Sequence, residues 1–122
     1  MTRRGVTFEE LCAIALALPG VERGSAYGTP ALRVKGKFLL RLREDGESVA
    51  LRIDLDAREI LLRADPEAFF LTEHYAAHPA ILVRLSAVTR EALTDVLEQA
   101  WEGAAPKPRR AKAGGSPRLP DR

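Results

Sequence analysis

The residues of this chain best equipped for chemistry are cations set at every second position among apolar residues. Arg33 and Lys35 alternate with Leu32 and Val34, Arg41 and Arg43 with Leu40 and Leu42, and Arg52 stands between Leu51 and Ile53. Lys37 precedes Phe38, and Arg84 stands between Val83 and Leu85. Period-two spacing puts such side chains on one face of a strand. A one-signed cluster repels itself, and each phosphate it neutralises relieves that repulsion. Arg33, Lys35, Lys37, Arg41, Arg43, Arg52 and Arg84 are therefore the candidate phosphate contacts. The bland alternative is a solvated sheet face with long cations lying over small residues.

Catalytic candidates are few. His74-Tyr75 and His78-Pro79 offer a general base and a phenol, although such residues in a loop more often pack or hydrogen-bond. Asp54, Asp56 and Glu59 lack calcium-loop spacing, and helix capping accounts for Asp56. The chain has no Gly-x-Ser-x-Gly elbow, Walker loop or Gly-x-Gly-x-x-Gly fingerprint. One cysteine, Cys12, excludes an intramolecular disulfide, and with two histidines it cannot close a Cys/His zinc site. No enzyme activity and no cofactor are expected.

These side chains need a scaffold. A helix is predicted over about Thr7 to Leu18, opened by a Thr7-x-x-Glu10 capping box and closed by Pro19-Gly20. Cys12 lies on its apolar stripe, as a buried thiol would. Three strands follow within residues 30–54, with Tyr27-Gly28-Thr29-Pro30 as the turn leading in. Asp45-Gly46 reads as a two-residue type I′ loop. That loop pairs Leu42 with Val49, Leu40 with Leu51 and Phe38 with Ile53 on one apolar face. A three-residue loop, Lys35-Gly36-Lys37, then pairs Val34 with Phe38 and Leu32 with Leu40. The opposite face carries Arg33, Leu39 and Arg52 in one row, Ala31, Arg41 and Ala50 in the next, and Thr29, Arg43 and Ser48 in a third. A helix over about Asp56 to Arg63, another starting at Asp65-Pro66-Glu67, a strand over 80–86 and a helix from Thr89 complete the pattern. Trp101 lies on the last helix's apolar stripe and is read as core. The fold class is α+β in two layers. An antiparallel sheet, a βββ meander plus a later strand, carries helices on one face in the order α-βββ-α-β-α.

Charge divides the chain. Residues 1–103 hold 13 Lys/Arg and 16 Asp/Glu, a net −3, while residues 104–122 hold 6 Lys/Arg and one Asp, a net +5. The last segment has four prolines, two glycines and one large apolar residue, Leu119. It cannot bury enough surface to offset its ordering entropy. One domain over residues 1–105 and a disordered basic tail over 106–122 are expected. No apolar run approaches the roughly 20 residues of a membrane span, and the N-terminus does not read as a secretory signal. A soluble, cytoplasmic protein is expected.

The segments Tyr27-Gly-Thr-Pro-Ala-Leu-Arg-Val-Lys-Gly-Lys37, Arg41-Leu-Arg-Glu-Asp-Gly-Glu47, Phe69-Phe-Leu-Thr-Glu-His-Tyr75, Leu82-Val-Arg-Leu85 and Glu98-Gln-Ala-Trp101 resemble the MmcQ/YjbR family in order and spacing. The resemblance covers about residues 8–106. It implies a small α/β domain in a double-wing DNA-binding arrangement, without cofactor or reaction. Many relatives carry Phe where Leu32 stands and Pro where Glu73 stands, so Glu73 adds a negative charge to the loop. The hairpin tips Lys35-Gly36-Lys37 and Asp45-Gly46 would be the wings, of which only the first has the charge to suit DNA. The expected partner is nucleic acid, duplex DNA of low sequence specificity. The alternative is an acidic protein bound on the same face.

Overall fold

Thr7 opens the first helix. Its hydroxyl accepts the Glu10 N–H at 3.0 Å, and the Glu10 carboxylate accepts the Thr7 N–H at 2.9 Å. This reciprocal cap, worth about 1 kcal/mol, starts α1 (Phe8–Leu16), which buries Leu11, Cys12 and Ala15. Desolvation pushes the Cys12 thiol up against the opposing pull of Arg23, so Cys12 is a packing residue rather than a nucleophile. The structure, a computed structural model, describes residues 4–104. The tail expected over 106–122 lies outside the described residues.

Six strands form one antiparallel sheet: β1 (Val21–Ala26), β2 (Thr29–Val34), β3 (Lys37–Leu42), β4 (Ser48–Arg52), β5 (Phe69–Phe70) and β6 (Ala80–Arg84), in the spatial order β1-β2-β3-β4-β6-β5. The helices α2 (Leu55–Ala64), α3 (Glu73–Ala76) and α4 (Arg90–Ala104) complete the α+β architecture. α1 and α4 pack on the apolar sheet face. There Leu11, Leu93, Val96 and Leu97 close over Leu32, Leu40, Val49 and Leu51. Trp101 packs against this core and donates its indole N–H to the Pro19 carbonyl at 2.8 Å. Among the described residues, no helix is long and apolar enough to cross a membrane.

The hairpins depart from expectation in instructive ways. Leu40↔Leu51 and Leu42↔Val49 pair as predicted. The β2–β3 loop, however, has two residues, not three. Lys35 (φ 49°) and Gly36 (φ 86°) both take the left-handed region that a type I′ turn requires. Val34 therefore faces Lys37 and Arg33 faces Phe38, while Leu32 still faces Leu40. A bulge absorbs the one-residue mismatch, because slippage of the whole strand would turn its leucines to the wrong face. Leu39 consequently joins the core at 0% exposure, and half-buried Phe38 moves to the other face.

The β3–β4 loop is also not a two-residue type I′ turn, since only Gly46 of its residues has positive φ. Its N–H bonds the Arg43 carbonyl at 2.9 Å, and the Arg43 N–H bonds the Ser48 carbonyl at 2.8 Å. The Asp45 carboxylate holds the turn by accepting the Glu47 and Ser48 N–H groups and the Ser48 hydroxyl.

Three further expectations are corrected. β1 was not predicted; its sequence, Val-Glu-Arg-Gly-Ser-Ala, carries the polar residues of an exposed edge strand. Asp54, not Asp56, caps α2, accepting the Ala57 N–H at 2.8 Å. Asp65-Pro66-Glu67 starts no helix. It makes a turn in which the Asp65 carbonyl accepts the Ala68 and Phe69 N–H groups, and Phe69–Phe70 then pair with β6. Pairing with an open sheet edge outweighs the local helix-start signal.

Candidate functional site

Ala31, Ala50 and Leu82 turn away from the core yet are at most 1% exposed. The second sheet face is thus not bare. The segment around α3, continuing through His78 and Pro79, lies over its β4–β6 half and leaves a cleft of about 950 Å³. Phe38, Arg33, Arg41, Arg52, Ala50 and Ala80 of the sheet line it, with Ser25, Ala26 and Tyr27 along one side and His74, Tyr75, His78 and Pro79 along the other. Glu44 is, among the described residues, the one carboxylate in the lining.

Arg41 is the hub of this cleft, 9% exposed. Through Nη1 it donates to the Thr29 hydroxyl at 3.2 Å and to the Leu42 carbonyl and Glu44 carboxylate at 3.4 Å; Nη2 donates to the Tyr75 hydroxyl at 3.1 Å. Burial disfavours its charge, but Tyr75 and Glu44 outweigh burial and hold its pKa above the ordinary value. In turn, its own backbone N–H and Arg41 hold the Glu44 carboxyl low. Among the described residues, Arg33 donates only to the Ser25 carbonyl, at 3.3 Å. The exposed Arg52 side chain has no partner among the described residues.

Of the seven cations singled out in the sequence, Arg33, Arg41 and Arg52 converge here. Arg43 stands behind Tyr75, its guanidinium 5.8 Å from that ring, and is engaged by Ser48 and Asp45. Lys35, Lys37 and Arg84 do not line the cleft. The Lys35 stem lies along Gly20, beyond the end of α1, and Arg84 stacks 4.3 Å over Phe70 while bonding the Glu67 carbonyl. Glu73, the charge added to the loop, is exposed and also outside the lining.

His74, Tyr75 and His78 form a ring cluster, with centroids 4.9 to 6.4 Å apart. A catalytic pair would need a base hydrogen-bonded to the phenol. Among the described residues that hydroxyl is bonded to Arg41. No group of three or more His, Cys, Asp or Glu among the described residues is placed to hold a metal ion.

Two residues that matter here were not singled out as functional in the sequence. Arg58 of α2, 8% exposed, donates to the carbonyls of Tyr75, Ala76, His78 and Ala80 at 2.7 to 3.4 Å, fastening the α3 segment over the sheet. The available signal was a lone cation at helical spacing between Leu55 and Leu61. Tyr27 begins the β1–β2 turn at φ 55°, followed by Gly28 at φ 81°. It is 84% exposed, with its ring 5.2 Å from the Arg41 guanidinium. Its signal was a bulky residue where a two-residue loop favours Asn or Gly.

The sequence model of the YjbR family matches residues 16–103. The chain belongs to the YjbR family. It is 35% identical over 63 residues to uncharacterised proteins of Mycobacterium bovis (Mb2600) and Mycobacterium tuberculosis (Rv2570), covering 51% of this chain and 49% of each relative. The chain thus spans about half the length of the curated relatives it matches. The crystal structure of Deinococcus radiodurans protein DR2400, of family-model domain DUF419, superposes with a TM-score of 0.65 at 20% identity, over 78% of this chain and 75% of that one. The YjbR fold is therefore shared at low sequence identity.

Proposed function

We propose that this YjbR protein binds DNA without catalysing a reaction on it, and that the cleft is where phosphates are held. The observation that carries this reading is the convergence of Arg33, Arg41 and Arg52 on a cleft lined by a single carboxylate, Glu44. Arg41 is occupied by its neighbours, so it supplies field and rigidity. Arg33 and Arg52 have donors to spare and make the direct contacts. Arg43 adds to the same field from behind Tyr75. Lys35, Lys37, Arg84 and the cations of residues 106–122 contribute long-range attraction of low specificity.

Binding of this kind weakens with salt, with a logarithmic slope of about −0.9 per phosphate neutralised. Fluorescence anisotropy from about 50 to 200 mM salt, on the full chain and on residues 1–105, measures it. Arg33→Ala/Arg52→Ala is expected to lower the slope of the shorter form by about 2. No binding by either form at the lowest salt refutes the proposal, and an unchanged slope moves the site elsewhere.

A further inference from the structure

Resting on the DNA-binding reading, we infer that the cleft receives an unstacked nucleotide from a single strand, its base lying on Tyr27. Tyr27 is the first indication. It occupies the left-handed region, where a side chain is strained, and its ring is 84% exposed. The fold gains little from the ring in return. The backbone would be better served by Gly or Asn, so the side chain has a use outside folding. The Arg41 guanidinium lies over the ring, 5.2 Å from its centroid, and the ring lines the cleft.

The bulge is the second indication. It turns Phe38 out of the core row and into the cleft lining, beside Arg33; Tyr75 also lines the cleft. The cleft thus combines aromatic surfaces with two cations, Arg33 and Arg52, that have no carboxylate partner among the described residues. Single-strand sites are built this way, with aromatic platforms for base faces and a positive groove for the backbone.

Size and shape agree. About 950 Å³ is at the upper end of small-ligand cavities, enough for a nucleotide unit between two walls. A closed duplex presents its backbone outward and keeps its base faces in the stack. It could meet the outer cations but not the rings.

The test uses the full chain, with a labelled single strand of about 12 nucleotides, the same strand with abasic sites throughout, and the closed duplex. Tyr27→Gly is the informative variant because it removes the ring and relieves the turn. It should raise the thermal midpoint while weakening binding of the intact strand by roughly 5- to 100-fold. Affinity for the abasic strand and the duplex should not change. Tyr27→Phe should bind as the wild type does. The tail is the same in every protein, so these ratios report the cleft. Tyr27→Gly binding the intact strand within about twofold of wild type, or an abasic strand binding as tightly as the intact one, overturns the inference and leaves the DNA reading standing. Displacement of the strand by unlabelled AMP at equal nucleotide concentration also overturns it, assigning the cleft to a free nucleotide. If no nucleic acid binds, the DNA reading itself falls.

Discussion

Arg58→Met isolates the fastening of the α3 segment. Methionine keeps the apolar stem and removes the guanidinium. Nη1 donates to the His78, Ala80 and Tyr75 carbonyls at 2.7, 3.1 and 3.4 Å, and Nη2 to the Ala76 carbonyl at 3.2 Å. Nη1 has two protons for three acceptors, so three bonds is the effective number. Bonds from a charged donor are worth about 1.5–3 kcal/mol each. Against them stands the desolvation of a guanidinium whose Nε is buried with no partner among the described residues, which costs about 1–3 kcal/mol. Three such bonds less that cost leave an expected net loss of about 1.5–8 kcal/mol, centred near 4–5 kcal/mol, out of the roughly 5–15 kcal/mol typical of a native domain. With a urea slope of about 1–2 kcal/mol/M, the midpoint falls by more than about 1 M. The loss should also be uneven. The amides of Tyr75, Ala76 and His78, bonded within the segment to the Thr72 and Tyr75 carbonyls, should exchange faster than those of the core strands relative to wild type. A midpoint change below about 0.3 M, with those three amides still protected, would show that Arg58 does not hold the segment.

Other expectations follow from the same geometry. Leu39→Ala should destabilise by about 2–4 kcal/mol and Phe38→Ala by less, the reverse of what an unbulged register requires; chemical denaturation of the two variants decides. Glu44→Gln removes the cleft's one lining carboxylate and should tighten DNA binding at about 50 mM salt, a gain that shrinks as salt rises; unchanged anisotropy titrations would contradict this. Asp45 contributes a pH dependence. Burial alone would raise its pKa, but hydrogen bonds from Glu47 and Ser48, together with Arg43, leave it below its ordinary 3.8. Its contribution is therefore complete above that value and disappears as pH falls through the lower folded pKa. Thermal midpoints from neutral pH to about pH 3 should fall less steeply for Asp45→Ala than for wild type.

Much of the scaffold was legible because the signals are local. Thr7 and Glu10 stand three apart and cap each other. The alternation from Leu40 to Leu51 set the core pairing, and Leu40↔Leu51 and Leu42↔Val49 follow it, whereas Phe38, expected opposite Ile53, faces Arg33 instead. Elements that exist only through partners were less visible. β1 has the composition of a loop and is a strand because β2 offers it an edge. β5 is two residues long. The bulge reflects competition between a turn preference and a hydrophobic register, and neither alone reveals which residue is left over. The cleft depends on contacts distant in sequence: Arg41 with Tyr75, and Arg58 with Ala80. The cations were therefore legible as candidates, but which of them converge was not.

The two sides of the cleft differ mechanically. One is clamped by α2 and seated against β6. The other ends in a border ribbon, since β1 has a single neighbour in the sheet. Bending that ribbon would disturb one backbone ladder only, so it is the jaw expected to yield to a guest thicker than the resting gap. Gly24, midway along β1, is where that compliance can be tuned. A Cβ there meets nothing within 4 Å, so a β-branched replacement would stiffen the moving jaw without crowding it and would narrow the range of guests the cleft admits.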